Sequence, residues 1–275
     1  MKKILSVLKY GLLVIYSAVS LYPLFWLLLY SFKDNEEILS TNPYGFPKVW
    51  RLENYVRAMT EFDLPLYFKN SLVVAFIAMF IGITVALLFG YAIARMKFKI
   101  ASHLRLYVIL GMFVPVQVYI IPLILQVNRL NLTGSLWSVI IPYIAMGLPF
   151  SILVLYGFYR GLPIELEESA FMDGASIFRT YYSIILPLMK PSIAALVIYQ
   201  FMQFWNEFTL ALLLLQDPEL KTLPLGLSTF MGQFSTQWGP TGATLVIAST
   251  PVIIMYILFS DKVEKAMSVT SGIKG

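Results

Sequence analysis

The chain has 275 residues, 59% of them hydrophobic and only 13% charged, with a mean hydropathy of +0.76, which excludes an ordinary soluble domain and implies a membrane protein. The pI near 9.2 does not point to nucleic acid, because the 20 Lys and Arg are spread along the chain at the ends of apolar runs, as the positive-inside rule requires. Cysteine is absent and the single histidine, His103, lies in a short basic loop, so disulfides, thiol chemistry and a histidine metal cluster are excluded.

Lys2, Lys3 and Lys9 make residues 1–10 a cytoplasmic N-terminus. The apolar run from Gly11 to Phe32 is long enough, at 1.5 Å per residue, to cross a hydrocarbon core of about 30 Å. Ala18-Val19-Ser20 imitates a cleavage site but sits in the middle of that run, so an uncleaved first span is expected. Residues 33–70 form a mixed-charge outer loop with turn chemistry at Asn42-Pro43-Tyr44-Gly45-Phe46-Pro47. Within it Leu52, Tyr55, Val56, Met59 and Phe62 recur at helical spacing, predicting an amphipathic helix at the outer membrane surface or against a partner.

The second span, Ser71 to Ala94, carries Ala78, Gly82, Ala86, Gly90 and Ala94 at four-residue intervals, which clears one face for close approach of another helix. Arg95, Lys97, Lys99 and Arg105 then mark a cytoplasmic loop. The third span, Leu106 to Gln126, holds Pro115 and Pro122 and is expected to kink, with Gln117 facing protein or a cavity. The fourth span runs from Leu136 to Phe158 and ends at Arg160.

A cytoplasmic loop, 160–190, follows, and Pro163 to Pro187 is the longest polar interval in the second half of the chain. It reads as two short helices joined at Asp173-Gly174. Pro163 suits a first helical position, Glu165, Glu167 and Glu168 fall in the opening turns where the helix dipole favours negative charge, and Ser176 suits the second N-cap, with Leu186-Pro187 closing that helix. Leu166, Ala170 and Phe171 are expected to share an apolar side, opposite Glu165 and Glu168.

The fifth span, Pro191 to Leu215, bears a polar stripe of Gln200, Gln203 and Glu207 beside Asn206. An acid at membrane depth must be paired or hydrated, so the stripe either lines a translocation path or braces the bundle through interhelical hydrogen bonds. The last span, Thr241 to Ser260, precedes a charged tail, 261–275. Both termini are then cytoplasmic, with thirteen Lys and Arg inside and seven outside. The expected fold is an all-α integral membrane protein with a six-helix transmembrane domain over 11–260.

The segment Glu168, Ser169, Ala170, Gly174, Ile184, Leu186 and Pro187 resembles the cytoplasmic coupling motif of binding-protein-dependent ABC importers, E-A-A-x3-G-x9-I-x-L-P, with Ser169 in place of the first alanine. Tyr91-Ala92-Ile93-Ala94-Arg95, Trp205-Asn206-Glu207-Phe208, Thr222-Leu223-Pro224-Leu225-Gly226-Leu227 and the terminal Ser271-Gly272-Ile273-Lys274-Gly275 extend the resemblance to a permease of the carbohydrate-uptake branch, of maltose-transporter type and similar to the smaller of the two permeases there.

That resemblance implies a type I ABC importer permease fold in a bacterial or archaeal cell membrane. It implies a second homologous permease, two ABC ATPase subunits that hold the ATP and Mg, and an extracytoplasmic sugar-binding protein. Glu168 would face a basic side chain in an ATPase cleft, Gly174 would permit the bend, and Gly272, Lys274 and Gly275 would reach the ATPase interface. The chain has no G-x-x-x-x-G-K-[ST] loop and no outlying nucleophile, base and acid constellation, so no enzyme activity of its own is expected, nor any bound cofactor. An ion-coupled sugar carrier and a non-transporting structural membrane subunit are the alternatives.

Overall fold

A computed structural model describes residues 2–61, 63–230 and 237–272, and every α-helix, π-turn and 3-10 turn below lies among them. In chain order the helices are α1 (Lys2–Tyr30), α2 (Glu53–Thr60), α3 (Leu64–Arg95), α4 (Ala101–Gly111), α5 (Val116–Arg129), α6 (Trp137–Gly161) and α7 (Glu165–Met172). Then come α8 (Ile177–Thr180), α9 (Leu186–Leu188), α10 (Lys190–Trp205), α11 (Thr209–Leu214), α12 (Leu223–Phe230) and α13 (Trp238–Gly272). No strand occurs among the described residues.

Among the described residues, four helical stretches are long and apolar enough to cross a membrane: Ser6–Tyr30, Leu64–Arg95, Trp137–Gly161 and Trp238–Ser260. Two bent pairs, α4 with α5 and Ile177–Leu188 with α10, raise the number to six if each is one span. The expected third span is therefore broken rather than kinked, with 102° between its halves. Pro115 has no N–H to give and forces Val114 out of helical geometry, so it serves as the N-cap of α5 with an extended ψ of 142°. Pro122, seven residues and so about two turns further on, is absorbed inside α5. The fifth span is broken as well. Its helix stops at Trp205, Asn206 to Phe208 interrupt it, and α11 resumes at Thr209. The helix of the expected last span, α13, runs on past Ser260 to Gly272, beyond its expected end.

Two compact units divide the chain. The first comprises Met1–Phe68 with Leu225–Pro251. In it the outer loop folds on polar contacts. Buried Lys33 donates to the carbonyls of Asn42 (2.6 Å) and Pro43 (3.3 Å), and Asn54 Nδ2 donates to the carbonyls of Ser31 and Lys33, both at 2.9 Å. Asp34 accepts from the Glu37 N–H at 2.8 Å and from Arg51 at 2.6 Å. Backbone hydrogen bonding by Glu37, then Arg51, holds the Asp34 carboxyl below its usual range against the opposing effect of burial. The expected amphipathic helix is α2, but it packs through Asn54 and Ala58 and leaves Leu52, Val56 and Met59 exposed; Phe62 lies outside the described residues.

The second unit comprises Lys69–Pro224 with Val252–Gly275. Its centre is α6, which packs on α4, α10 and α11. The small-residue stripe of α3 is buried throughout. Gly90 lies against Leu155 and Tyr159 of α6, and Gly82 lies against Gln200 of α10. In lipid, where burial of apolar surface drives little association, such close van der Waals contact is what holds helices together.

Candidate functional site

The segment 163–187 starts its first helix two residues later than its proline suggests. Pro163 precedes α7, which opens at Glu165 with Ile164 as its cap residue. At the other end α7 closes on a Schellman motif: Ala175 N–H donates to Ala170 O (2.9 Å) and Gly174 N–H to Phe171 O (3.0 Å). Gly174 adopts φ +78°, the left-handed conformation that costs other L-residues, and so turns the chain into the second half. Ser176 caps α8, accepting from Arg179 N–H at 3.3 Å. Leu186-Pro187 does not close that half. The helix relaxes into a π-turn over Tyr181–Ile185 and continues through α9, where proline is tolerated because it occupies an opening position.

The faces of α7 also differ from expectation. Its buried side is Glu167 and Ala170, while Leu166 and Phe171 are exposed and Met172 is 88% exposed. Glu165, Glu168 and Ser169 face outward too. With Phe178 and Tyr182, these side chains make an exposed apolar and acidic tip that no other described residue covers. Ile184 and Leu186 are half-buried and Pro187 is exposed.

Glu167 meets the end of α3. Its Oε1 lies 3.3 Å from Arg95 Nε, with the two side chains 7% and 5% exposed, and Arg95 Nη2 donates to the Leu162 carbonyl at 2.6 Å. Burial pushes the Glu167 carboxyl above the usual glutamate range, and Arg95 pulls it back. Around the pair, the Tyr91 ring packs on Tyr159 (5.5 Å) and Tyr181 (4.8 Å). Sequence reasoning missed this cluster because the positive-inside rule already explained Arg95, and no periodicity links positions 95 and 167.

The polar stripe of the fifth span divides into two environments. Gln200 is 1% exposed; its Nε2 donates to Ser151 Oγ (2.6 Å) and the Gly147 carbonyl (3.3 Å) of α6. A Cβ on Gly147 would come within 2.9 Å of that nitrogen and 3.0 Å of Phe204, so glycine is what admits the amide. Glu207 sits in the helix break. It accepts from Tyr143 Oη (2.6 Å) and from the backbone N–H groups of Leu210 (2.8 Å) and Ala211 (3.1 Å), capping α11. Gln203 and Asn206 face outward, Asn206 donating to the Met202 carbonyl at 2.8 Å. The structure thus brings Gln200 and Glu207 into contacts with α6 and leaves Gln203 and Asn206 on an open face. Gly272 ends α13, whereas Lys274 and Gly275 lie outside the described residues. Among the described residues no three His, Cys, Asp or Glu side chains gather as a metal site would require.

Residues 78–269 match the model of a family described as the binding-protein-dependent transport system inner membrane component. Similar proteins include the diacetylchitobiose uptake system permease protein NgcG of Streptomyces coelicolor, 32% identical over 96% of this chain and 87% of that one. The trehalose/maltose transport system permease protein MalG of Thermococcus litoralis is 30% identical over 98% and 96% of the two chains. Among solved structures, a bacterial ABC transporter that imports the acidic polysaccharide alginate has a chain with the same fold, with a TM-score of 0.80 over 94% of this chain and 96% of that one at 19% identity. A family match across most of the chain, full-length relatives and a shared fold converge: the chain belongs to the inner membrane components of binding-protein-dependent transport systems.

Proposed function

We propose that this chain is one of two permeases in an ATP-driven importer of a carbohydrate, that it forms half of the translocation path, and that it takes its drive from an ATPase subunit docked on residues 163–187. The observation that carries the reading is the exposed tip of α7 and α8. Apolar Phe171, Met172 and Phe178 beside acidic Glu165 and Glu168 form a surface that calls for a protein partner, on the cytoplasmic side by the charge distribution. The relatives named for sugar uptake support the substrate class. The ABC transporter of like fold supports the ATPase partner, and a second alginate transporter structure, solved with its periplasmic protein, supports delivery by a binding protein. No P-loop stands in the sequence, so ATP and Mg belong to the partner.

Mechanically, closure of the ATPases moves α7 and α8 as a lever, and the broken spans exchange inward-open for outward-open arrangements. The membrane in question is the cell membrane, with both termini in the cytoplasm. An ion-coupled carrier would need a free acid at membrane depth, and the acid available, Glu207, is occupied by Tyr143 and two backbone N–H groups.

The test is Glu168→Lys. Uptake of radiolabelled maltose, trehalose and diacetylchitobiose is compared in cells carrying the wild-type or the variant chain with its partner subunits. The variant should insert at wild-type levels and lose at least about nine-tenths of the uptake, because truncating or reversing one charge at a docked interface costs upward of 2 kcal/mol. Undiminished uptake would remove this loop as the docking site.

A further inference from the structure

Adjacent glutamates on α7 face opposite ways. Glu168 is exposed at the tip, while Glu167 is turned inward onto Arg95 at the cytoplasmic end of α3. We propose that Arg95 is a positioning residue that ties the coupling segment to the second and fourth spans, so that displacement of α7 is delivered to α3 through the Arg95–Glu167 pair and to the end of α6 through the Leu162 carbonyl. This inference rests on the docking reading above and concerns what lies behind the docked surface.

Three observations carry it. The pair is buried, and neither Arg95 Nε nor Glu167 Oε1 has a hydrogen-bond partner among the described residues, so at those atoms each charge answers to the other. A charge buried this deeply is strongly disfavoured when left alone, so withdrawal of α7 while α3 stays in place is opposed. Second, Arg95 spans two elements, reaching Glu167 with Nε and Leu162, just past α6, with Nη2 at 2.6 Å. Lysine has one donor head and no rigid fork to reproduce this. Third, the surroundings transmit displacement rather than absorb it. Tyr91 on α3 touches Tyr159 on α6 and Tyr181 in the second half of the coupling segment, and the Tyr159 hydroxyl donates to the Leu87 carbonyl of α3 at 3.1 Å. Packed rings and a buried ion pair have discrete arrangements, which is what coupling between distant sites requires.

Hydrogen exchange on the purified complex, read by mass spectrometry with and without ATP and vanadate, tests this without knowledge of the sugar. In the wild-type complex, ATP and vanadate should change the exchange of peptides covering both 165–172 and 84–95 by about tenfold, the scale of an ordinary allosteric coupling. In Glu167→Gln and Arg95→Met the 165–172 response should persist, while the 84–95 response falls below about twofold, and Arg95→Lys should lie between. The double variant Arg95→Met/Glu167→Gln leaves no orphaned charge, so it folds even if a single variant does not, and it should lose no more than the singles. A full 84–95 response in the double variant overturns the proposal while leaving the docking reading intact. A wild-type complex in which neither peptide responds, or a chain that brings down no ATPase, overturns both.

Discussion

At the scale of single residues, two polar side chains of the fifth span find partners on a neighbouring helix. Gln200 and Glu207 each bond to α6, through Ser151 and Tyr143. Removing one such bond, as in Tyr143→Phe, should lower stability by about 1 kcal/mol, because hydrogen bonds between membrane helices are individually weak. Gly147→Ala should cost more, about 1–3 kcal/mol, since its Cβ would strike both Gln200 and Phe204. Thermal unfolding of the purified protein in detergent ranks the two. That the fifth span carried polar side chains was legible from their spacing; that Gly147 makes room for one of them was not, since nothing local distinguishes it from the other glycines of α6.

Asp34 gives a residue-scale pH dependence. Its carboxyl is lowered in the folded state, chiefly by the Glu37 N–H and then by Arg51, so its contribution is complete above the unfolded value of about 3.9 and is lost as pH falls through the lowered folded value. The outer loop of wild-type protein should become protease-sensitive in that acid window. Asp34→Asn should be sensitive already at neutral pH and change little on acidification.

At the scale of elements, legibility followed chemistry that acts locally. Gly174, Ser176 and the five small residues at four-residue intervals on α3 do in the structure what their residue types and spacing require. Proline was harder to read, because one residue can start a helix or stop it. Pro115 opens α5 after a sharp break, Pro122 rides inside it, and Pro187 opens α9 instead of ending a helix. The break at Asn206 to Phe208 has neither proline nor glycine to announce it; Glu207 makes it tenable by capping α11 from the side. The buried face of α7 was misread because Glu167 is charged, and only its partner 72 positions earlier makes burial affordable. For the turn itself, Gly174→Val should destabilise the left-handed position by about 1–2 kcal/mol or more and abolish sugar uptake with helix content unchanged, whereas Gly174→Asn should retain much of the uptake. Circular dichroism with transport in the same preparation checks both.

For the whole molecule, fold class and family were legible because composition, charge asymmetry and the spacing from Glu168 to Pro187 each constrain the chain over long stretches. What a single sequence does not encode by itself is assembly. The outward side chains of α1, the exposed tip of α7 and α8, and the open face bearing Gln203 and Asn206 all call for surroundings other than water. Lipid serves the first, and under the proposed function an importer complex serves the others. The most direct measurement is affinity purification of the intact chain from its native membrane in mild detergent, with the stoichiometry of each co-purifying protein determined. The importer reading requires a second, related permease in equal amount and two copies of a subunit carrying the phosphate-binding loop that this chain lacks. Recovery of the chain alone, or only with copies of itself, under conditions in which a known importer stays assembled, would contradict it.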